Sequence, residues 1–142
     1  MGQNVISNEG EILLAERCVR VPFVSTNHWT ARLYTNDYTP TKDVTLASVV
    51  EAVFGGYAGI PLIPADWNPF TTVNGQATSF YGTTPLQWFA ASVGQVCYGY
   101  YVTDDLSGIL IWAARFDASQ LPSATNPALV LPAFTLHSES EP

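Results

Sequence analysis

The sequence predicts an all-β protein, a β-sandwich of jelly-roll-like form with one short helix. Three observations predict it. Ten Gly and ten Pro are spread along 142 residues, too frequent a punctuation for long helices. Between them lie short runs in which apolar and polar residues alternate, the period of a strand with one buried face. Hydrophobic residues make up 47% of the chain and aromatics 13%, enough to fill a core between packed sheets. A single β-sandwich domain is expected over residues 11–137, preceded by a polar N-terminal arm, residues 1–10, and followed by a flexible acidic tail, residues 138–142.

The elements follow in order. Ile12 to Val19 is the first expected strand, continuing through Val21, Phe23 and Val24 after a bend at Pro22. Trp29 to Tyr34 is the second, with Ala31 and Leu33 alternating with Thr30 and Arg32. After the turn-rich Asn36 to Thr41, Asp43 to Phe54 is the one expected helix. Thr45 is its N-cap, Ser48 stands at N3, Leu46, Val49, Val50 and Val53 form its apolar face, and Gly55-Gly56 closes it. Tyr57 to Asn68, with Pro61 and Pro64 inside it and Pro69 after it, is expected to be an irregular covering loop.

Pairing resumes across the strong turn signal Asn74-Gly75, between Phe70 to Val73 and Ala77 to Tyr81. Leu86 to Ser92 follows. Val96 to Thr103 and Ile109 to Phe116 form a second hairpin around Asp104 to Gly108. Leu129 to Leu136 is the last strand, placed at an edge or bulge by Pro132.

Composition narrows the function. Asp, Glu, Lys and Arg make up 12% of the chain, against roughly 25% in an average soluble domain. Lys and Glu are depleted in interface cores and Tyr and Trp enriched; this chain has one lysine, Lys42, with seven Tyr and four Trp. That bias fits a component of an assembly. A net charge of -7, with Arg17, Arg20, Arg32, Lys42 and Arg115 scattered, disfavours nucleic acid and anionic membrane as partners. The N-terminus has no basic region followed by an apolar core, and no apolar run reaches the length of a membrane span, so synthesis in the cytosol is expected.

Catalysis needs a titratable group with a partner, and the sequence offers none. His28 and His137 are isolated, and no second His or Cys stands at metal-ligand spacing from either. Cys18 and Cys97 each lie in an expected apolar strand, far apart in sequence, and are expected to be reduced core thiols rather than a disulfide. Asp104-Asp105 sits in a hairpin loop, where Asp is favoured for bonding its own backbone. Gly55-Gly56 lacks the Lys-Ser or Lys-Thr of a phosphate loop. No enzymatic activity, cofactor or metal is expected. The aromatics leave a carbohydrate-binding module as a second class, since Trp and Tyr can serve as sugar-stacking platforms.

Two segments carry a resemblance. Leu33-Tyr34-Thr35-Asn36-Asp37-Tyr38-Thr39-Pro40-Thr41, followed by Leu46 to Ala52 and Gly56-Tyr57, is similar to a pattern in small proteins encoded near the capsid genes of tailed bacteriophages and prophages. So is Tyr98-Gly99-Tyr100-Tyr101-Val102-Thr103-Asp104, continuing through Ile111-Trp112-Ala113-Ala114-Arg115-Phe116. The resemblance implies a structural virion protein that decorates or cements the capsid. Its implied partners are the major capsid protein and further copies of itself in a homotrimer, and its implied location is the capsid surface after synthesis in the host cytoplasm. A tail or neck component is the neighbouring alternative. Partner contacts are expected in the stretches the resemblance leaves out, the arm and Ala65 to Trp88, with Val5, Ile6, Trp67 and Phe70 as the interface residues.

Overall fold

Residues 4–19 and 29–136 are described by a computed structural model, apart from the side chains of 15–19 and 136. Strand β1 (Val5–Ile6) pairs antiparallel with β8 (Leu110–Gln120), Ile6 standing opposite Trp112. Helix α1 (Asn8–Val19) follows at once. This corrects the strand expected from Ile12 to Val19. Ser7 is the N-cap: its hydroxyl accepts from the Gly10 N–H at 2.8 Å and donates to the Leu110 carbonyl at 2.5 Å. Glu9 and Glu11 occupy the positive first turn, and Leu13 and Leu14 pack against the core. Gly10 lets the helix approach β8, for a Cβ there would stand 2.5 Å from the Ile111 carbonyl oxygen. The segment expected as an arm is thus packed into the domain from Val5 onward, with Ile6 and Ser7 buried.

The main sheet has the order β1-β8-β7-β2-β3, where β2 is Trp29–Tyr34, β3 is Ile60–Leu62 and β7 is Cys97–Asp104. All its neighbours are antiparallel. The expected second strand and second hairpin are present, the hairpin extended to Gln120. Thr103 pairs with Leu110 and Val102 with Trp112, so Ile111 is the extra residue of a β-bulge.

The helix expected over Asp43 to Phe54 is not formed. A single 3-10 turn, Leu46–Ser48, replaces it, with the Thr45 N–H donating to the Ser48 hydroxyl at 3.1 Å. Beyond it the chain runs extended along β2: the Thr35 N–H donates to the Val50 carbonyl and the Ala52 N–H to the Leu33 carbonyl. The Asn36 carboxamide holds the Ser48 carbonyl and the Val50 N–H, both at 2.9 Å. Val44, Thr45, Val49, Val50 and Val53 are β-branched, and a sheet edge with unpaired groups outweighs their modest helical pattern. The expected irregular loop 57–68 likewise contributes β3 to the same edge.

Two smaller sheets complete the molecule. One has the order β10-β5-β4, from Ala133–Leu136, Gln76–Phe80 and Thr71–Val73; the other pairs β6 (Leu86–Trp88) with β9 (Ala128–Val130). The last expected strand is therefore divided at Leu131-Pro132, and its halves enter different sheets. The fold is all-β with one short helix, in a β-sandwich-like arrangement. Trp112 lies at its centre, fully buried. Its ring meets Phe134 of β10 at 5.2 Å, Trp29 at 5.5 Å and Trp67 at 6.1 Å between centroids, all edge-on.

Candidate interaction surface

Charge is distributed unequally over this architecture. From Trp67 to Thr103, and again from Ala118 to Leu136, the chain has no Asp, Glu, Lys or Arg. Those two runs contain every strand of both smaller sheets and the loops that join them. Among the described residues the charges lie in the main sheet, in the helix and in the segments beside them, and several are partnered. Arg32 reaches Glu51 at 2.9 Å and Asp105 at 3.7 Å. Burial works against its charge, but the hydrogen bond and charge of Glu51 outweigh that and raise its pKa. The Tyr57 hydroxyl donates to the same Glu51 carboxylate at 2.7 Å, and burial followed by that bond pushes its pKa up. Arg115 pairs with Asp37 at 2.6 Å and lies over the Tyr98 ring.

The expected turn role of Asp104-Asp105 is what the geometry shows. Asp104 is buried and accepts from the Ser107 N–H at 2.9 Å and hydroxyl at 2.7 Å; Asp105 accepts from the Thr30 hydroxyl at 2.6 Å. Cys97 is free and buried, and burial pushes its thiol up to about 11, which suppresses the nucleophilic thiolate at neutral pH. His28 and His137, the acidic tail and the Cys18 side chain lie outside the described residues.

Two apolar clusters are exposed, mostly within these uncharged runs. The first is the hairpin of β4 and β5. Every residue of β4 is exposed, and Phe70, which precedes it in the chain, is 54% exposed. The outer edge of β4 is unpaired in its sheet, and no charge or proline within the strand blunts it. The edge strand β3 of the main sheet differs, because Pro61 occupies its centre. The second cluster lies where three loops are knitted by backbone bonds: the Ala91 N–H donates to the Gly55 carbonyl, and the Ala90 and Gly94 N–H groups donate to the Ser123 and Pro122 carbonyls. Val53, Val93 and Leu121 stand out from these loops, 78%, 76% and 56% exposed. Leu129, on the outer side of β9, is 45% exposed.

Of the four interface residues expected from the sequence, Phe70 belongs to this surface. Trp67 is half-buried between Tyr81 and Trp112, while Val5 is half-buried and Ile6 buried in β1. Ile6, Trp67 and Phe70 nevertheless converge on one place: Ile6 is opposite Trp112, Trp67 packs on Trp112, and Phe70 reaches it through Phe134. Val53, Val93, Leu121 and Leu129 were missed. The signal that marks three of them is apolar residues within charge-free runs; Val53 lies outside those runs and was assigned to a helix face.

Every Trp and Tyr is buried or half-buried, so the side chains a sugar platform would use are committed to packing. Among the described residues, no helix is long and apolar enough to cross a membrane, and no three His, Cys, Asp or Glu side chains gather where they would hold a metal ion. Comparison of the chain with protein-family models, curated proteins and solved structures finds no match.

Proposed function

We propose that this protein is a structural component of a tailed-phage particle that decorates or cements the capsid through protein–protein contacts. The observation that carries the proposal is the uncharged, apolar-studded exterior of the two smaller sheets on a chain of net charge -7. The exposed apolar side chains there have no charged neighbours to offset them, and large apolar patches are uncommon on monomers. Coverage by a neighbour removes that conflict. The resemblance of the Leu33 to Thr41 and Tyr98 to Phe116 segments to phage-encoded proteins supports a capsid as the setting. The major capsid protein and further copies of this chain, in a homotrimer, are the proposed partners.

Contacts made by this surface bury few charges, so attachment should change little with ionic strength, since salt screens only charges. A standard interface removes roughly 800 Å² per partner. The test is to prepare particles with and without the protein and to heat or osmotically shock both. The proposal expects fixed-stoichiometry incorporation and fragile particles in its absence. Equal stability, together with a monomeric free protein, overturns it.

A further inference from the structure

We propose that Asn74 is a spontaneous deamidation site, a slow chemical switch that places a negative charge at the tip of the uncharged hairpin. Asn74 and Gly75 form the two-residue turn between β4 and β5, both in the left-handed region with φ of 52° and 78°. Both are exposed, and nothing lies within 4 Å of the position a Gly75 Cβ would take. Among the described residues the Gly75 N–H has no backbone acceptor, and no hydrogen bond holds the Asn74 carboxamide. A nucleophilic nitrogen without steric cover therefore follows an unrestrained carboxamide.

The other described asparagines differ. Asn68 and Asn126 precede prolines, which have no N–H to lose. The carboxamides of Asn4, Asn8 and Asn36 are held by Ala133, Asp43 and the Ser48–Val50 backbone. Asn-Gly occurs once in the chain, at this turn.

In the reaction the Gly75 nitrogen gives up its proton and attacks Cγ of Asn74. The Cγ–Nδ2 bond breaks, ammonia leaves with that proton, and a cyclic imide forms. Solvent water then opens the imide at either carbonyl, to aspartate or to isoaspartate. Water is consumed and ammonia released, with no change in oxidation state. Asparagine is among the residues that fail first on prolonged heating for this kind of reason. The product has a carboxylate within a run that otherwise has none from Trp67 to Thr103. In the isoaspartate form an added backbone methylene also lengthens a turn that sets the register of Thr71 to Val73 against Gln76 to Thr78.

The test is to hold the folded protein in warm, mildly alkaline buffer and follow the chymotryptic peptide Thr71 to Phe80 by mass spectrometry. The expected result is progressive replacement of NH2 by OH at Asn74, ahead of every other asparagine, with a new, more acidic species on ion exchange. Asn74→Gly, which keeps a turn sequence suited to positive φ, should fold normally and abolish that species. A urea-unfolded sample is run alongside. Conversion there without conversion in the folded protein shows that the turn protects Asn74 and overturns the proposal, as does conversion spread evenly over the other asparagines.

Discussion

The five-stranded sheet and the two smaller sheets solve the problem of a polar-poor chain in opposite ways. In the large sheet the charged groups lie on or beside the strands and are tied down, Arg32 to Glu51 and Asp105, Arg115 to Asp37. Several of its buried hydroxyl and indole groups are likewise paired inside, although the buried Trp29 indole N–H finds no partner among the described residues. The Trp112 indole N–H donates to the Tyr100 hydroxyl at 3.1 Å, and that hydroxyl accepts from the Ala133 N–H at 3.4 Å. The smaller sheets have no charges; their side-chain bonds are between uncharged groups, among them Thr78 with Thr135 and Gln120 with the Leu129 backbone, and aliphatic groups stand exposed beside them. One region is finished in isolation. The other leaves apolar groups uncovered, which is why the proposed attachment is assigned to it.

The strongest way to break this contrast is at the point where the two regions meet. Trp112→Ala removes the ring on which Trp29, Trp67 and Phe134 converge and should cost about 3–5 kcal/mol in urea unfolding. A much smaller loss means the smaller sheets do not depend on the large one. Alkali tests the large sheet's buried hydroxyls. Burial pushes Tyr34, Tyr100 and Tyr101 from 10.0 to about 12. Below pH 10 both folded and unfolded chains hold these protons. Above it the unfolded chain releases them first, so stability falls between pH 10 and 12 by about 1.4 kcal/mol per pH unit for each such group, as an upper figure. Cys97, shifted from 9.0 to about 11, begins the decline one unit earlier. Thermal unfolding across that range should show a flat, then falling, midpoint.

A charge placed on the uncharged side sharpens the contrast. Leu129→Glu should leave unfolding within about 0.5 kcal/mol of the parent, because Leu129 is exposed on β9. It should weaken incorporation into particles by about 2 kcal/mol or more if Leu129 lies in the covered centre, measured by competition against the parent protein. Parent-like incorporation removes Leu129 from the contact. The smallest effect belongs to the charged region's rim: Arg115→Ala should cost under about 1 kcal/mol, since its partner Asp37 is largely exposed and the pair is screened.

Local signals carried the fold wherever neighbours in sequence are also neighbours in space. Trp29–Tyr34 alternates and is a strand; Asn74-Gly75 makes its turn; the Tyr- and Trp-rich run from Cys97 to Gln120 closes on itself around Asp104 and Gly108. The helix Asn8–Val19 was also available to a reader of the sequence, in Ser7, in Glu9 and Glu11, and in the strong helix formers from Leu13 to Arg17. A short apolar run such as Ile12 to Val19 suits either state, so its pattern alone does not separate helix from strand. Of the surface, Phe70 was legible and Val93, Leu121 and Leu129 were visible only as apolar residues in uncharged stretches. Nothing local distinguishes an exposed valine from a buried one.

By itself, then, the sequence determined the class, all-β with one short helix, the positions of both hairpins and the scarcity and placement of charge, because each depends on residues a few positions apart or on composition alone. Tertiary structure decided the rest. Val49 to Ala52 lies extended because β2 offers it an edge, and the helix that starts at Asn8 is held against β8 because the Ser7 hydroxyl finds the Leu110 carbonyl. The strand at Leu129 is split by Pro132 because its two halves find partners as distant as Leu86 to Trp88 and Ala77 to Phe80. Those outcomes depend on pairing across long loops, where the free energy of a backbone group is set by whichever donor or acceptor the folded chain brings to it.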